Sequence, residues 1–291
     1  MLVPDDVRKC VVFVGAKRAD GAYQMIGSAF FLGRDKPGES RVDPCYIVTA
    51  RHVVDGARSK GVQKIGLRMN TKDGKAEWHD VDIGDWVYLA SDGSVDVAIR
   101  EMGIPAWLDH LAMPTSLGVT AATISENEVG PGDEVFVTGL FRHHHGATRN
   151  IPIIRIGALA CMGEEKVSTS FGEMDALLIE ARSIGGLSGS PVFLHLGPAR
   201  PIKGKVDFAS RFFLLGLIHG HYDATEQGID AFEGSNTEDS SRLTNAQINT
   251  GIAIVVPFHS IESVLARYEE RKRQSLSFSG DAGLPDWLAS G

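Results

Sequence analysis

Ser183-Ile184-Gly185-Gly186-Leu187-Ser188-Gly189-Ser190-Pro191-Val192-Phe193 is the stretch on which the reading of this chain turns. A serine with glycine one residue after it and two before it sits where the backbone bends sharply. Gly186 also leaves room for a substrate carbonyl to approach main-chain N–H groups. Pro191 stiffens the exit, and Val192-Phe193-Leu194 continues as a buried strand. Taken alone, the string is equally a plain turn between strands. Its partners elsewhere in the chain decide between the two.

Working backwards, Tyr46-Ile47-Val48 forms an apolar strand and leads into Thr49-Ala50-Arg51-His52-Val53-Val54. His52 then stands at a strand end, ahead of a single helical turn over Val53–Gly56. A lone histidine in such a place is more often structural than chemical. Ser94-Val95-Asp96-Val97-Ala98-Ile99 puts a carboxylate directly before another apolar strand. That carboxylate is forced near the core, where it needs a partner to offset desolvation. Asp82 and Asp85 open no such run, and a plain alternative makes Asp96 the turn residue that closes the Asp92-Gly93 hairpin.

Together these segments carry a resemblance. The serine stretch resembles the G-x-S-G-G/S-P nucleophile loop of chymotrypsin-like serine peptidases. Thr49–Val53 is similar to their T-A-x-H-V/C segment, and Asp96–Ile99 to their D-[IV]-A-[LI] pattern. The chain order His52, Asp96, Ser188 is that of the two-barrel peptidases and differs from the orders in subtilisins and α/β-hydrolases. The resemblance implies a Ser188 nucleophile, a His52 general base oriented by Asp96, and an oxyanion hole from the N–H groups of Gly186 and Ser188. It places His52 and Asp96 on the first barrel and Ser188 on the second. It implies a polypeptide substrate and no cofactor. Leu187 departs from the trypsin pattern, in which an acid at that position receives a freed N-terminus, so activation by that route is not expected. The pattern resembles HtrA-like and other bacterial trypsin-like peptidases, as does Val129-Gly-Pro-Gly-Asp-Glu-Val-Phe-Val137, and the sequence beyond residue 258 is too short for a PDZ domain.

The rest of the chain fits an all-β fold of two packed antiparallel six-stranded β-barrels with a C-terminal α-helix. Strands are expected at Val11–Ala16, Met25–Leu32, Tyr46–Thr49, Lys64–Met69, Trp78–Ile83 and Val97–Glu101. A second six are expected at Glu134–Phe141, Ile151–Cys161, Ala176–Glu180, Pro191–Leu196, Phe212–His219 and Ile252–Pro257. The domain reading is 1–110, 111–258, and 259–291 for helix and tail. Gly103–Ala122 is the inter-barrel connection. Apolar residues at 261, 264, 265 and 268 make one helical face, with Ser260 as its N-cap.

Specificity stays open. By the family's layout Arg182, Ser183, His219 and His221 line the primary pocket and would suit an acidic side chain, unless Arg182 points outward onto a neighbouring acid. The segment Asp223–Thr250, with six acids against one arginine, is either a lid or partner-gated loop or a solvated insertion. His143-His144-His145 reads as a solvated loop, because consecutive histidines cannot all ligate one ion comfortably.

Composition excludes other classes. Across 291 residues, 43% hydrophobic and 23% charged content is that of an ordinary globular protein. A net charge of −8 argues against general nucleic-acid or anionic-membrane binding. The apolar runs are too short and too often broken by charge to span a membrane. Acidic residues stand at Asp5 and Asp6, where a signal peptide would carry basic ones. Cys10, Cys45 and Cys161 have no metal-ligand spacing, so no metal is expected, and reduced thiols in the cytosol are the plain reading. Cys45 and Cys161 sit in apolar runs and are expected in the core. The expected activity is that of a cytoplasmic serine endopeptidase. Its rivals are a catalytically silent or partner-gated binding module, with an activating protein partner, and an esterase using the same triad.

Overall fold

The computed structural model describes residues 3–35, 43–89, 92–169, 172–181, 186–207, 209–225 and 247–278. All twelve expected apolar runs form strands. In the first half these are β1 (Val11–Lys17), β2 (Tyr23–Gly33), β3 (Cys45–Thr49), β4 (Lys64–Asn70), β5 (Ala76–Asp82) and β6 (Ala98–Glu101), with helix α1 (Arg51–Arg58) after β3. A two-residue strand, β7 (Met113–Pro114), pairs parallel with β2. The sheet runs β5-β4-β1-β2-β3-β6, antiparallel throughout that path. It curls around a core so complete that every residue of β3 is buried.

The two-barrel architecture expected from the sequence is present, with the first barrel a curled sheet whose ends, the chain just after β5 and strand β6, meet at a single bridge. Val87 N–H donates to Ile99 O at 2.8 Å and Ile99 N–H to Val87 O at 2.9 Å. Beyond that bridge, Asp96 stands two residues before β6, itself four residues long.

The second half closes. After helix α2 (Ala121–Asn127), capped reciprocally by Thr120 and Thr123, come β8 (Glu134–Gly139), β9 (Ile153–Cys161), the hairpin β10 (Val167–Thr169) and β11 (Gly172–Met174), β12 (Leu177–Glu180) and β13 (Pro191–Leu196). A second hairpin, β14 (Arg200–Ile202) and β15 (Lys205–Asp207), precedes β16 (Arg211–Thr225) and β17 (Gln247–Pro257). The barrel order is β12-β17-β16-β13-β8-β9. Val135, Val137, Leu159, Ile179, Val192, Leu194, Leu215 and Val255 fill it. The pairs Asp223–Asn249 and Thr225–Gln247 extend β16 and β17, so both ends of the expected 223–250 loop are strand, and its middle lies outside the described residues.

A separate core joins the halves. Phe136, Leu140, Phe193, Leu214, Leu217 and Val256 pack with the apolar residues of the first sheet. Helix α3 (Phe258–Phe278) leaves β17 directly, so Ser260 lies inside it rather than capping it. Phe258, Ile261, Val264 and Leu265 are buried, each such side chain contributing roughly 1.5–3 kcal/mol. Gly118 is where α3 presses closest: a Cβ there would fall 1.9 Å from the Phe258 ring. The helix then reaches back to the first sheet. Arg34 donates two hydrogen bonds to Glu269, at 2.9 and 3.0 Å, and Tyr268 donates to Glu101 at 2.9 Å.

Candidate active site

His52 is set by where β3 stops. Ala50 is still extended, and Arg51 begins α1, which is anchored by the buried Val53, Val54 and Ala57. The β3–β6 register pairs Thr49 with Ala98, which brings Asp96 alongside the first turn of α1. Asp96 is 6% exposed. Its Oδ1 accepts the backbone N–H of His52 at 2.8 Å, and its Oδ2 lies 2.8 Å from His52 Nδ1. The carboxylate thus caps the helix and fixes the ring with its two oxygens.

Ser188 is set by glycines and by the other half of the molecule. Gly186 and Gly189 have φ of 108° and 82°, which L side chains avoid. A Cβ on Gly189 would stand 2.2 Å from Ser28 O and 2.4 Å from Thr49 Oγ1, so only glycine lets this loop lie against β2 and β3. Ser28, fully buried in β2, binds the loop twice: its N–H donates to Ser188 O at 2.9 Å and its hydroxyl to Gly186 O at 2.8 Å. Ser28 Oγ also accepts the N–H of Leu140 at 2.9 Å. Sequence reading passed over Ser28; the available signal was a hydroxyl beside Gly27 in an otherwise apolar strand. Leu187, 1% exposed, packs in the barrel interior.

His219 is the largest correction. Expected to line a specificity pocket, it is 5% exposed and turned inward, with Nδ1 2.5 Å from Asp96 Oδ2. Its ring meets that of His52 edge-on at 5.2 Å. Its backbone carbonyl accepts the Ser188 hydroxyl at 3.2 Å. Among the described residues, Ser188 Oγ is given to that carbonyl rather than to His52. The site thus holds two imidazoles on one carboxylate oxygen, a cluster that separations in sequence gave no hint of. Burial alone would raise the pKa of Asp96. The hydrogen bonds from His219 and then His52 outweigh it and hold the group at about 2.

Of the other expected pocket residues, His221 is partly exposed on β16, and Arg182 and Ser183 lie outside the described residues. Arg142–His144 form one short helical turn, with His145 Nδ1 3.1 Å from Arg142 O. Cys10 and Cys45 are buried, and burial pushes both thiols up, Cys45 to about 12. Cys161, expected in the core, is half-buried, its Sγ 2.9 Å from Glu164.

A second set of the same residue types lies on the second barrel. His195 Nδ1 is 2.6 Å from Glu134 Oε2, and its Nε2 is 3.0 Å from Ser210 Oγ. The ring stacks on Phe212 at 4.8 Å.

With the geometry established, comparison with known families is decisive. Residues 27–197, which contain His52, Asp96 and Ser188, match the model of the trypsin-like peptidase domain. The chain belongs to that family. As a member it is a protease-type hydrolase, with polypeptides as substrates. Among solved structures, the protease domain of MamO from Magnetospirillum magneticum (apo form) is similar in fold, with a TM-score of 0.50 and 16% identity over 89% of this chain and 97% of that one. Deg5 is similar at a TM-score of 0.41 and 19% identity, over 64% of this chain and 75% of that one. No curated protein matches in sequence. Among the described residues, no helix is long and apolar enough to cross a membrane.

Proposed function

We propose that this chain is a serine endopeptidase. Ser188 Oγ attacks the scissile carbonyl carbon and passes its proton to His52 Nε2. The oxyanion is met by the N–H groups of Gly186 and Ser188, each such donor typically worth about 2.7–4 kcal/mol of barrier. His52 then protonates the leaving amine, and water, activated by the same ring, frees the acyl group from Ser188. Asp96 keeps the proton on His52 Nδ1, which leaves Nε2 open to accept. The observation that carries this reading is the two-point grip of Asp96 on His52, beside a serine held in a glycine loop. In this reading the 1–110 domain supplies His52 and Asp96, the 111–258 domain supplies Ser188, and the third segment, 259–291, carries the C-terminal helix. Three free cysteines favour a reducing compartment, the cytosol.

The test is a peptide-library digest read by mass spectrometry, comparing wild type with Ser188→Ala, alongside a simple ester substrate. Amide cleavage lost in the variant is the expected result; ester turnover with intact peptides would make the chain an esterase instead. The residues preceding each cut report whether acidic side chains are preferred. A second reading has one observation behind it. Because the Ser188 hydroxyl rests on the His219 carbonyl, a protein partner or the substrate itself would complete the attack geometry. Labelling by a fluorophosphonate only when a candidate partner is added would favour that gated form.

A further inference from the structure

One imidazole and one carboxylate suffice to run the reaction above. The second imidazole, His219, is surplus to it, and a buried histidine committed to an already occupied carboxylate oxygen needs its own account. His52, Asp96 and His219 each offer a ligand atom, all within 4.8 Å of one another. Two imidazoles and a carboxylate form a donor set that suits zinc, with further positions left for water.

We propose that His52, Asp96 and His219 bind a divalent ion of the zinc class, and that this ion switches the peptidase off. The ion takes Nδ1 of both rings and Oδ2 of Asp96. Each imidazole stays neutral, its proton moving from Nδ1 to Nε2 through solvent, so no net proton is released. That tautomer is the wrong one for catalysis: His52 Nε2, which must accept the Ser188 proton, now carries one. Zinc bonds of about 2.0–2.1 Å in a tetrahedron hold ligand atoms roughly 3.3 Å apart. The present Nδ1–Oδ2 separations of 2.8 and 2.5 Å therefore open by about 0.5–0.8 Å on binding. The His52 side chain is 19% exposed and is the ion's way in, and the dication offsets the buried charge of Asp96. The inhibitory consequence rests on the proposed role of His52; the binding does not.

The experiment uses Ser188→Ala protein, so that binding is read without catalysis. Equilibrium dialysis with zinc chloride should give about one tight ion per chain, with magnesium chloride at the same concentration not retained. Adding His219→Asn, which keeps a side-chain N–H for Asp96 and the backbone carbonyl, should weaken zinc at least tenfold. His52→Ala, a change at a more exposed position, should do the same if the first variant folds poorly. His143→Ala should leave the tight ion in place. In wild-type protein, zinc should abolish peptide cleavage reversibly, and a chelator should restore it. Zinc affinity unchanged by both site variants, or lost only with His143→Ala, would overturn the proposal. Zinc held through His219 by a chain whose wild type cleaves nothing would sink the peptidase reading and leave the metal site standing.

Discussion

Two constellations in this molecule pair a carboxylate, an imidazole and a hydroxyl, and they differ instructively. At Glu134, His195 and Ser210 the hydrogen-bonded chain is complete as it stands, yet the carboxylate side chain is 37% exposed. At Asp96, His52 and Ser188 the carboxylate side chain is only 8% exposed and holds two rings, while the serine rests on a carbonyl. Hydrogen bonds alone therefore do not single out the proposed active centre. Ser210 lies between Ala209 and Arg211, without the positive-φ glycines that turn main-chain N–H groups toward a developing oxyanion. The difference lies in burial of the charge and in backbone shape around the serine, and both are open to test.

The widest separation should come from the two serines. Ser188→Ala is expected to lower kcat for peptide cleavage by roughly 10⁴–10⁶-fold, whereas Ser210→Ala should stay within about twofold of wild type, measured by steady-state hydrolysis. Equal losses would erase the distinction. Next, Asp96→Asn should lower kcat by about 10⁴-fold at near-constant KM, because the amide supports the wrong His52 tautomer; Glu134→Gln should not slow the reaction.

Ser28→Ala sharpens the contrast from the side of the supporting strand. It removes the hydroxyl donated to Gly186 O and the acceptor for Leu140 N–H. A cost of about 1–3 kcal/mol in urea unfolding and up to about 10²-fold in kcat is expected. No kinetic change would mean the loop holds its shape unaided.

Acid should find the buried carboxylate as well. With Asp96 at about 2 when folded and an ordinary value near 3.8, its charge adds about 2 kcal/mol of stability above pH 4. That contribution is lost as pH falls from about 4 toward 2, and chemical denaturation in this range should show a shallower slope in Asp96→Asn. The smallest effect belongs to His195→Gln: about 1 kcal/mol of stability and no change in cleavage.

Much of this was legible in the chain. Period-two and continuous apolar runs marked all twelve main strands, since burial in a sheet leaves that pattern directly in sequence. The short hairpins β10–β11 and β14–β15 were missed because three residues carry no period. The two-barrel plan was legible as well, whereas the thin Val87–Ile99 junction of the first barrel was not, since a single bridge leaves no period in the chain. Cys161 was misplaced because an apolar run does not tell which of its residues face inward.

By itself, the sequence determined that there would be two β halves and a glycine-bracketed serine, with His52, Asp96 and Ser188 in the order of a two-barrel peptidase. Those features are local: backbone freedom at glycine, strand periodicity, a carboxylate forced inward by the strand that follows it. Tertiary structure alone decided that His219 shares Asp96 with His52, that Ser28 in the first sheet holds the serine loop of the second half, and that α3 folds back onto Glu101. These contacts join positions far apart in the chain. They depend on how two curved sheets meet, and no short-range pattern in the chain records that.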